Sequence, residues 1–579
     1  MRLAYPFRPS RISRAVLPLL ACVAFTLLPA PQSQAQSAVL SETVATQIPG
    51  RDLRVNPPAI ASLTITPLGG VGALEKGLLK VRFKESGLPS SLRILHKGSL
   101  KTLRDDGTGD DAAQDGVYSA RLDFKLEEML EHHTNLRESG QAQSLPSIAA
   151  AAQDVSPLSV STDLDPDKTL FIRDASVVND PSRTSDPCMS RSSADAKKKW
   201  TFGYLMTQIA NQRKTGRTPS DLAMSLLKQW ETQRIINDDV VPARALIRDL
   251  VINPWLKASG NTGKLTMHKA PFRLLGIVNR VDLRQNLFFG EGLAGELRFV
   301  WGVLDLNPKN KAADGSCNEF GSFTLIMEYA VDKKTPAAVK AYGKKWTDLN
   351  PMTLDSAAYR DSLQVITESV VRAGAGAAKR RANGSALIRI RTNEITLGLP
   401  LGLPWELREF NLRRNPTRTD VGLFFETDVK QTPANEHNGL DLFAKFVNDK
   451  EAEILAGKHN VPHLFDGVRF RGGASENNID SWNAPGIVNN EARHLVSVNT
   501  CNGCHGAETQ TFFLHVVPRP RSQPAGLSGF LTGIDVPDPV NSAPVRHMHD
   551  LDRRAVDLHS LVSSPVLSQL GFQPTSRTH

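Results

Sequence analysis

Apolar residues recur along this chain with two different periods. Within residues 56–130 the period is two: Leu79, Val81 and Phe83 alternate with polar neighbours, as do Leu92 and Ile94, and then Tyr118, Ala120, Leu122 and Phe124. Alternation over short runs, broken by turn-forming residues, predicts half-buried strands. A small all-β, β-sandwich-like module is therefore expected over 56–130. Farther along, Pro219-Ser220-Asp221 can open a helix, after which Leu222, Leu226, Leu227 and Trp230 fall on one face. Phe443, Phe446, Val447 and Ile454 form a similar stripe in a helix expected over 439–457. These stripes read as core rather than as cofactor boxes, since every packed helix needs such a face.

Strand-like runs are interspersed with these helices at Phe272–Val281, Leu297–Leu304, Phe323–Ala330, Ala386–Arg391 and Gly422–Val429. Residues 167–490 are accordingly expected to form a central mixed α+β domain, without a fixed-period repeat. Between the two lies 138–166, rich in Ala, Ser, Gln and Pro, which has the composition of a linker. A multidomain chain also follows from its 579 residues, well beyond the size at which single cores stop growing.

The longest apolar run, Ala15–Ala30, follows Arg2, Arg8, Arg11 and Arg14 and precedes the small, polar stretch PQSQAQSA. That order predicts a secretory signal peptide over 1–35, with Ser33 and Ala35 suited to the cleavage site. Leu20-Ala21-Cys22 is a partial lipoprotein signal, but the apolar run continues past the cysteine. The run is short for a membrane span, so a mature protein with no transmembrane segment is expected. Charge changes this picture little. The net charge of +9 includes the four leader arginines, and no dense basic tract remains beyond the loop-like Lys379-Arg380-Arg381. A nucleic-acid partner is not expected. With 40% hydrophobic and 22% charged residues the chain is globular rather than mainly disordered.

Cysteines carry most of the chemistry. Cys22 falls within the expected leader. Cys188 and Cys317 form an even pair that would join as a disulfide in an oxidising compartment, with two buried thiols as the alternative. Cys501-Asn502-Gly503-Cys504-His505 is a C-x-x-C-H unit. Two sulfurs at this spacing can form thioethers to neighbouring porphyrin vinyl groups, and the histidine after them can ligate the iron from below. Small residues at 502, 503 and 506 let the backbone pass the ring edge.

At this motif the chain resembles the c-type cytochromes, over about its last eighty to ninety residues. The resemblance implies one covalent haem c on Cys501, Cys504 and His505 within a haem segment at 491–579. It also implies a sixth ligand, for which Met548 comes first, then His515, with His494, His547 and His549 behind. Three other readings of the cysteines stay open: a thioredoxin-like pair opening a helix after a strand, a zinc site with His494 or His515, and a plain disulfide. A small cytochrome does not carry some 450 further residues, so the haem is expected to sit against the central domain.

The β module resembles the immunoglobulin-like accessory modules of secreted bacterial proteins. Its turn from Asp105 to Gly116 holds Asp105, Asp106, Asp110, Asp111 and Asp115, which could bind calcium but match no EF-hand register; a solvated turn is preferred. Glu296, Glu328, Glu406 and Glu409 read as scattered surface acids. No hydrolase, P-loop or dinucleotide motif is present. The expected function is electron transfer with a redox partner protein in the periplasm or outside the cell. Haem peroxidase or oxygenase action on a small-molecule substrate is the alternative, with Glu491, Arg493 and His494 nearest the motif. A non-redox, polymer-binding surface protein is the third reading.

Overall fold

The fold was obtained as a computed structural model. It describes residues 47–48, 51–52, 60–67, 76–83, 91–96, 99–106 and 117–123, and then 163–563 apart from 245–246, 285–293, 334, 377–382, 396–404, 414–421, 430, 456, 458, 477–480, 512–513 and 542–544. The expected leader over 1–35, the linker up to residue 162, the acidic turn beyond Asp106 and the basic cluster at 379–381 lie outside the described residues.

The N-terminal module contains five antiparallel strands: β1 (Ile60–Pro67), β2 (Lys76–Phe83), β3 (Ser91–His96), β4 (Ser99–Arg104) and β5 (Val117–Asp123). They pair in one sheet of order β1-β2-β5-β4-β3. The alternating apolar positions fall in β2, β3 and β5, whereas β1 and β4, richer in Thr, Ser and Lys, are not prominent in the pattern.

The central domain is mixed α+β and is built on a larger antiparallel sheet. Its strands are β6 (Phe171–Ile172), β7 (Phe272–Arg280), β8 (Glu296–Leu304), β9 (Glu319–Ala330), β10 (Leu387–Ile395), β11 (Trp405–Leu412) and β12 (Phe424–Thr427), in the order β12-β11-β10-β9-β8-β7-β6, with the short β13 (Ser475–Glu476) also on β11. All five expected strands are present within a few residues of their predicted bounds.

Register divides this sheet into two unlike faces. Phe299 pairs with Met327, Met327 with Ile390, and Ile390 with Phe410, giving an apolar face. Helices α1 (Phe202–Ala210) and α2 (Pro219–Leu227) pack on it. Phe202 stacks on Phe272 at 4.1 Å, and Trp230 lies 4.5 Å from Phe410. The start of α2 is a capping box, Thr218 with Asp221, followed by Pro219 at the first helical position.

On the opposite face the register aligns Arg298 with Glu328, Glu328 with Arg389, and Arg391 with Glu409. Arg298 Nη2 lies 2.7 Å from Glu296, Arg389 Nη2 3.2 Å from Glu296, and Arg391 Nε 3.1 Å from Glu409, while Arg389 also contacts Glu328. These six residues are buried. So is Glu406, which pairs with Arg408 at 2.7 Å on the apolar side. The expectation of scattered surface acids is therefore corrected: Glu296, Glu328, Glu406 and Glu409 are interior. Strand pairing places an arginine beside each carboxylate, so the charges can be desolvated together. All seven tryptophans are less than 2% exposed. Each removes roughly 200 Å² from water, worth up to about 5 kcal/mol, the same order as the several kcal/mol that desolvating each ion costs.

Cys188 and Cys317 are joined by a disulfide. Helices α3 (Pro336–Thr347) and α4 (Ala357–Val371) follow β9, and α5 (Asp441–Asp449) continues into a helical turn at Glu451–Leu455. Asp163–Pro166, read as the end of the linker, are already packed: Asp163 O accepts from Asn350, and Asp165 caps the helical turn Pro166–Thr169. The C-terminal part, α6 (Asn490–Val498), α7 (Cys501–Cys504), α8 (Gly529–Thr532), β14 (Ile534–Pro537), β15 (Val545–Met548) and α9 (Asp550–Ser563), folds onto the central domain. Ala492, Leu495 and Val496 of α6 share a core with Phe443, Phe446 and Val447 of α5. Among the described residues, no helix is long and apolar enough to cross a membrane.

Candidate functional site

Local sequence shapes the cysteine turn. Asn489 caps α6, whose last turn runs into Thr500, the N-cap of α7. Thr500 Oγ1 accepts from Gly503 N at 2.9 Å and donates to Ser497 O at 2.7 Å, folding the turn back on α6. The fold is so tight that a Cβ on Gly503 would lie 2.1 Å from Ser497 O. Glycine is required there by close approach, as the small residues of the motif suggest.

Cys501, Cys504 and His505 are all fully buried, and the two cysteines are not joined to each other. Cys501 packs with Trp405, Leu407 and Val429, on the charged face of the sheet, and Thr432 Oγ1 accepts from its backbone N–H at 3.1 Å. Burial pushes the Cys501 thiol up to about 11. Asn502, between the cysteines, accepts from Trp482 Nε1 and donates to Asn435, each at 2.8 Å.

The His505 imidazole lies between two rings. Trp405 is tilted over it at 4.8 Å, and His515 stands edge-on at 4.3 Å. His515 Nδ1 is held by Ser528 Oγ at 2.7 Å, and Phe530 lies 5.0 Å from its ring. Its Nε2 lies 3.6 Å from Cys504 Sγ. Burial, reinforced by the neighbouring His505 and Arg554 charges, holds the His515 pKa well below the usual histidine value, so the ring is neutral. A neutral imidazole with one nitrogen anchored by a hydroxyl is prepared to ligate through the other.

The remaining expected ligands are dispersed. Met548 is 7% exposed on β15, in the same apolar core as Cys504. His547, on the solvent side of β15, pairs with Asp535, while His549 lies 3.9 Å from Asp552. His494 bonds through Nδ1 to Glu508. Glu491, Arg493 and His494 are all engaged in an ion-pair clasp. Arg493 grips Glu508 at 2.8 and 2.9 Å and Asp538 at 3.0 Å, and Arg546 joins Glu491 and Asp538. Arg493 precedes the motif and Glu508 follows it, so the clasp closes the chain around the cysteine turn. Nothing in the primary sequence marks the clasp or Trp405, because each is assembled from distant segments.

These residues discriminate among the chemistries open at the motif. A thioredoxin-like pair opens a helix after a strand and has a lowered thiol pKa; here the motif follows α6 and the Cys501 thiol is raised. His494, one candidate for a zinc ligand, is bound within the clasp. The donor types are those a covalent haem would use: two unlinked thiols one turn apart, an adjoining imidazole, and a second, neutral imidazole packed against it. The His505 and His515 rings are in contact at 4.3 Å, so the site as folded has no space for a further ring between them. Comparison of the chain with protein-family models, with curated proteins and with solved structures gave no match.

Proposed function

We propose that this chain is an exported single-haem c-type protein that transfers electrons to and from a docked redox partner protein. The observation that carries the proposal is the single buried turn bearing Cys501, Cys504 and His505, faced by the neutral imidazole of His515. In this reading Cys501 and Cys504 would supply the thioether sulfurs and His505 the proximal ligand, and His515, once moved off the His505 ring, would be the sixth ligand ahead of Met548. The bound haem supplies a one-electron couple. Trp405, Leu407, Val429 and Phe530 wall the site with apolar surface and exclude water. Ser528 orients His515, and the Arg493–Glu508 clasp holds both ends of the cysteine turn. Two imidazole ligands give a lower potential than imidazole with methionine.

Electron transfer is preferred to peroxidase or oxygenase chemistry because such an enzyme needs an open distal position with a poised polar group. In this reading His515 would fill that position, and Glu491, Arg493 and His494 are committed to ion pairs. The Cys188–Cys317 disulfide supports a periplasmic or released location. The N-terminal sheet is read as part of an immunoglobulin-like accessory module with no redox role. Carbon monoxide binding to the reduced, haem-loaded protein tests the choice: no adduct is expected, and a stoichiometric adduct would move the assignment to the enzyme.

A further inference from the structure

A second cluster of metal-binding side chains lies away from the cysteine turn, on the hairpin of β14 and β15. Asp535 and His547 are direct cross-strand partners, and His549 follows His547 by two residues, so that both imidazoles leave the solvent side while Met548 between them turns inward. His547 Nδ1 lies 2.6 Å from Asp535 Oδ1. One ligand atom from each of Asp535, His547 and His549 falls within 4.8 Å of the other two. From the first turn of α9, Asp552 Oδ2 approaches to 3.9 Å of His549 Nδ1. Gly533, at φ +119°, makes room for that ring: a Cβ there would sit 3.0 Å from His549 Nδ1.

Among the described residues two other groups of three such side chains converge, and both are already satisfied. Cys188 and Cys317, beside Asp186, are tied as a disulfide. Glu508 and Asp538 hold the Arg493 guanidinium as their cation, and His494 is bonded to Glu508. The hairpin group has no such internal occupant. A lone His547–Asp535 pair at the surface contributes little and gives no reason for a second imidazole and a second carboxylate to gather beside it.

We propose that Asp535, His547 and His549 form a surface site for a divalent transition-metal ion of the zinc class, with Asp552 placed to supply a fourth ligand. Two imidazoles and one or two carboxylates are a donor set for such ions, in preference to calcium or magnesium. Binding releases any proton held on the coordinating imidazole nitrogens. The ion ties β15 to the start of α9. Because β15 leans on α8, whose N-cap is Ser528, it also stiffens the support behind His515. The site does not depend on the haem reading.

Calorimetric titration of the chelator-stripped, full-length exported protein with Zn²⁺ tests it, in a Cys501→Ser/Cys504→Ser background so that thiols cannot compete. One equivalent is expected to bind in the micromolar range or tighter and to raise the thermal midpoint. His547→Ala and His549→Ala are each expected to weaken binding by at least the roughly 10–100-fold that loss of an outer-shell partner causes. Asp552→Asn should weaken it less. All of these side chains are at least partly exposed, so unchanged circular dichroism is expected and serves as the folding control. Absence of Zn²⁺ uptake, or uptake unchanged in the His547→Ala/His549→Ala double variant, would overturn the proposal; the second outcome would place the ion elsewhere.

Discussion

Replacing Arg493 by methionine removes one charge from the clasp while nearly preserving side-chain volume. Arg493 is 1% exposed and Glu508 and Asp538 are fully buried, so neither carboxylate can turn to water when the guanidinium is lost. Burial alone would raise the Glu508 carboxyl. His494 and then Arg493 more than reverse that, holding it at about 2 rather than 4.5. A shift of that size is worth on the order of 3 kcal/mol, and breaking buried ion pairs from one side costs about 3–5 kcal/mol. His494 contributes more of that shift than Arg493 does, so the magnitude rests on the broken buried pair, and Arg493→Met is expected to destabilise the protein by about 3–5 kcal/mol near neutral pH. Because the folded-state pKa is depressed, the wild-type stabilisation is fully present above the unfolded value of 4.5 and is lost as pH falls toward about 2. The difference between wild type and variant should therefore shrink across that window. Urea unfolding followed by tryptophan fluorescence reads it directly, since Trp482 accepts from Arg493 through its carbonyl oxygen. A loss below about 1 kcal/mol, within the range of ordinary substitutions, or one equally large at both ends of the window, would refute the clasp as described.

Other outcomes follow from the same geometry. His515→Ala in the haem-loaded protein is expected to open the sixth position, giving a high-spin oxidised spectrum and a carbon monoxide adduct when reduced. Met548→Leu should leave both readouts unchanged, and the reverse pattern would make Met548 the ligand. Gly503→Ala forces a Cβ onto the Ser497 carbonyl at 2.1 Å and is expected to cost about 1–3 kcal/mol, as overpacking does, while lowering haem incorporation; unaltered melting and yield would contradict the close approach. The Cys188–Cys317 bridge spans 129 residues, so Cys188→Ala/Cys317→Ala should lose about 2–4 kcal/mol of stability, with a thermal midpoint insensitive to reductant. An unchanged midpoint would show that the bridge constrains little.

What was legible in the sequence was local or periodic. The runs at Phe272, Leu297, Phe323 and Ala386 are apolar enough to be read as strands, and the C-x-x-C-H turn is carried by five consecutive residues. The strand Trp405–Leu412 is not legible, because Glu406, Arg408 and Glu409 look like solvent-facing residues until neighbouring strands place counter-charges beside them. Sheet register, which no single segment contains, decides whether such residues are buried. For the same reason the four glutamates seemed scattered. His515 was legible only as one candidate among several. Its distinction is the position of its ring against His505, and the chain between them contains no signal for that contact. Trp405 and Glu508 join the site through packing that brings β11 and the turn after His505 together. The boundary placed at residue 490 marks a change in chemistry, while α6 shares its core with α5 across it.

The most direct test of the central claim is the intact mass and absorption spectrum of the protein exported alongside a c-type haem maturation system. A mass increase of one haem and a sharp reduced α band are expected, both abolished in Cys501→Ala/Cys504→Ala. Protein exported under working maturation with no added mass would contradict it, leaving Cys501 and Cys504 as buried thiols of a structural turn.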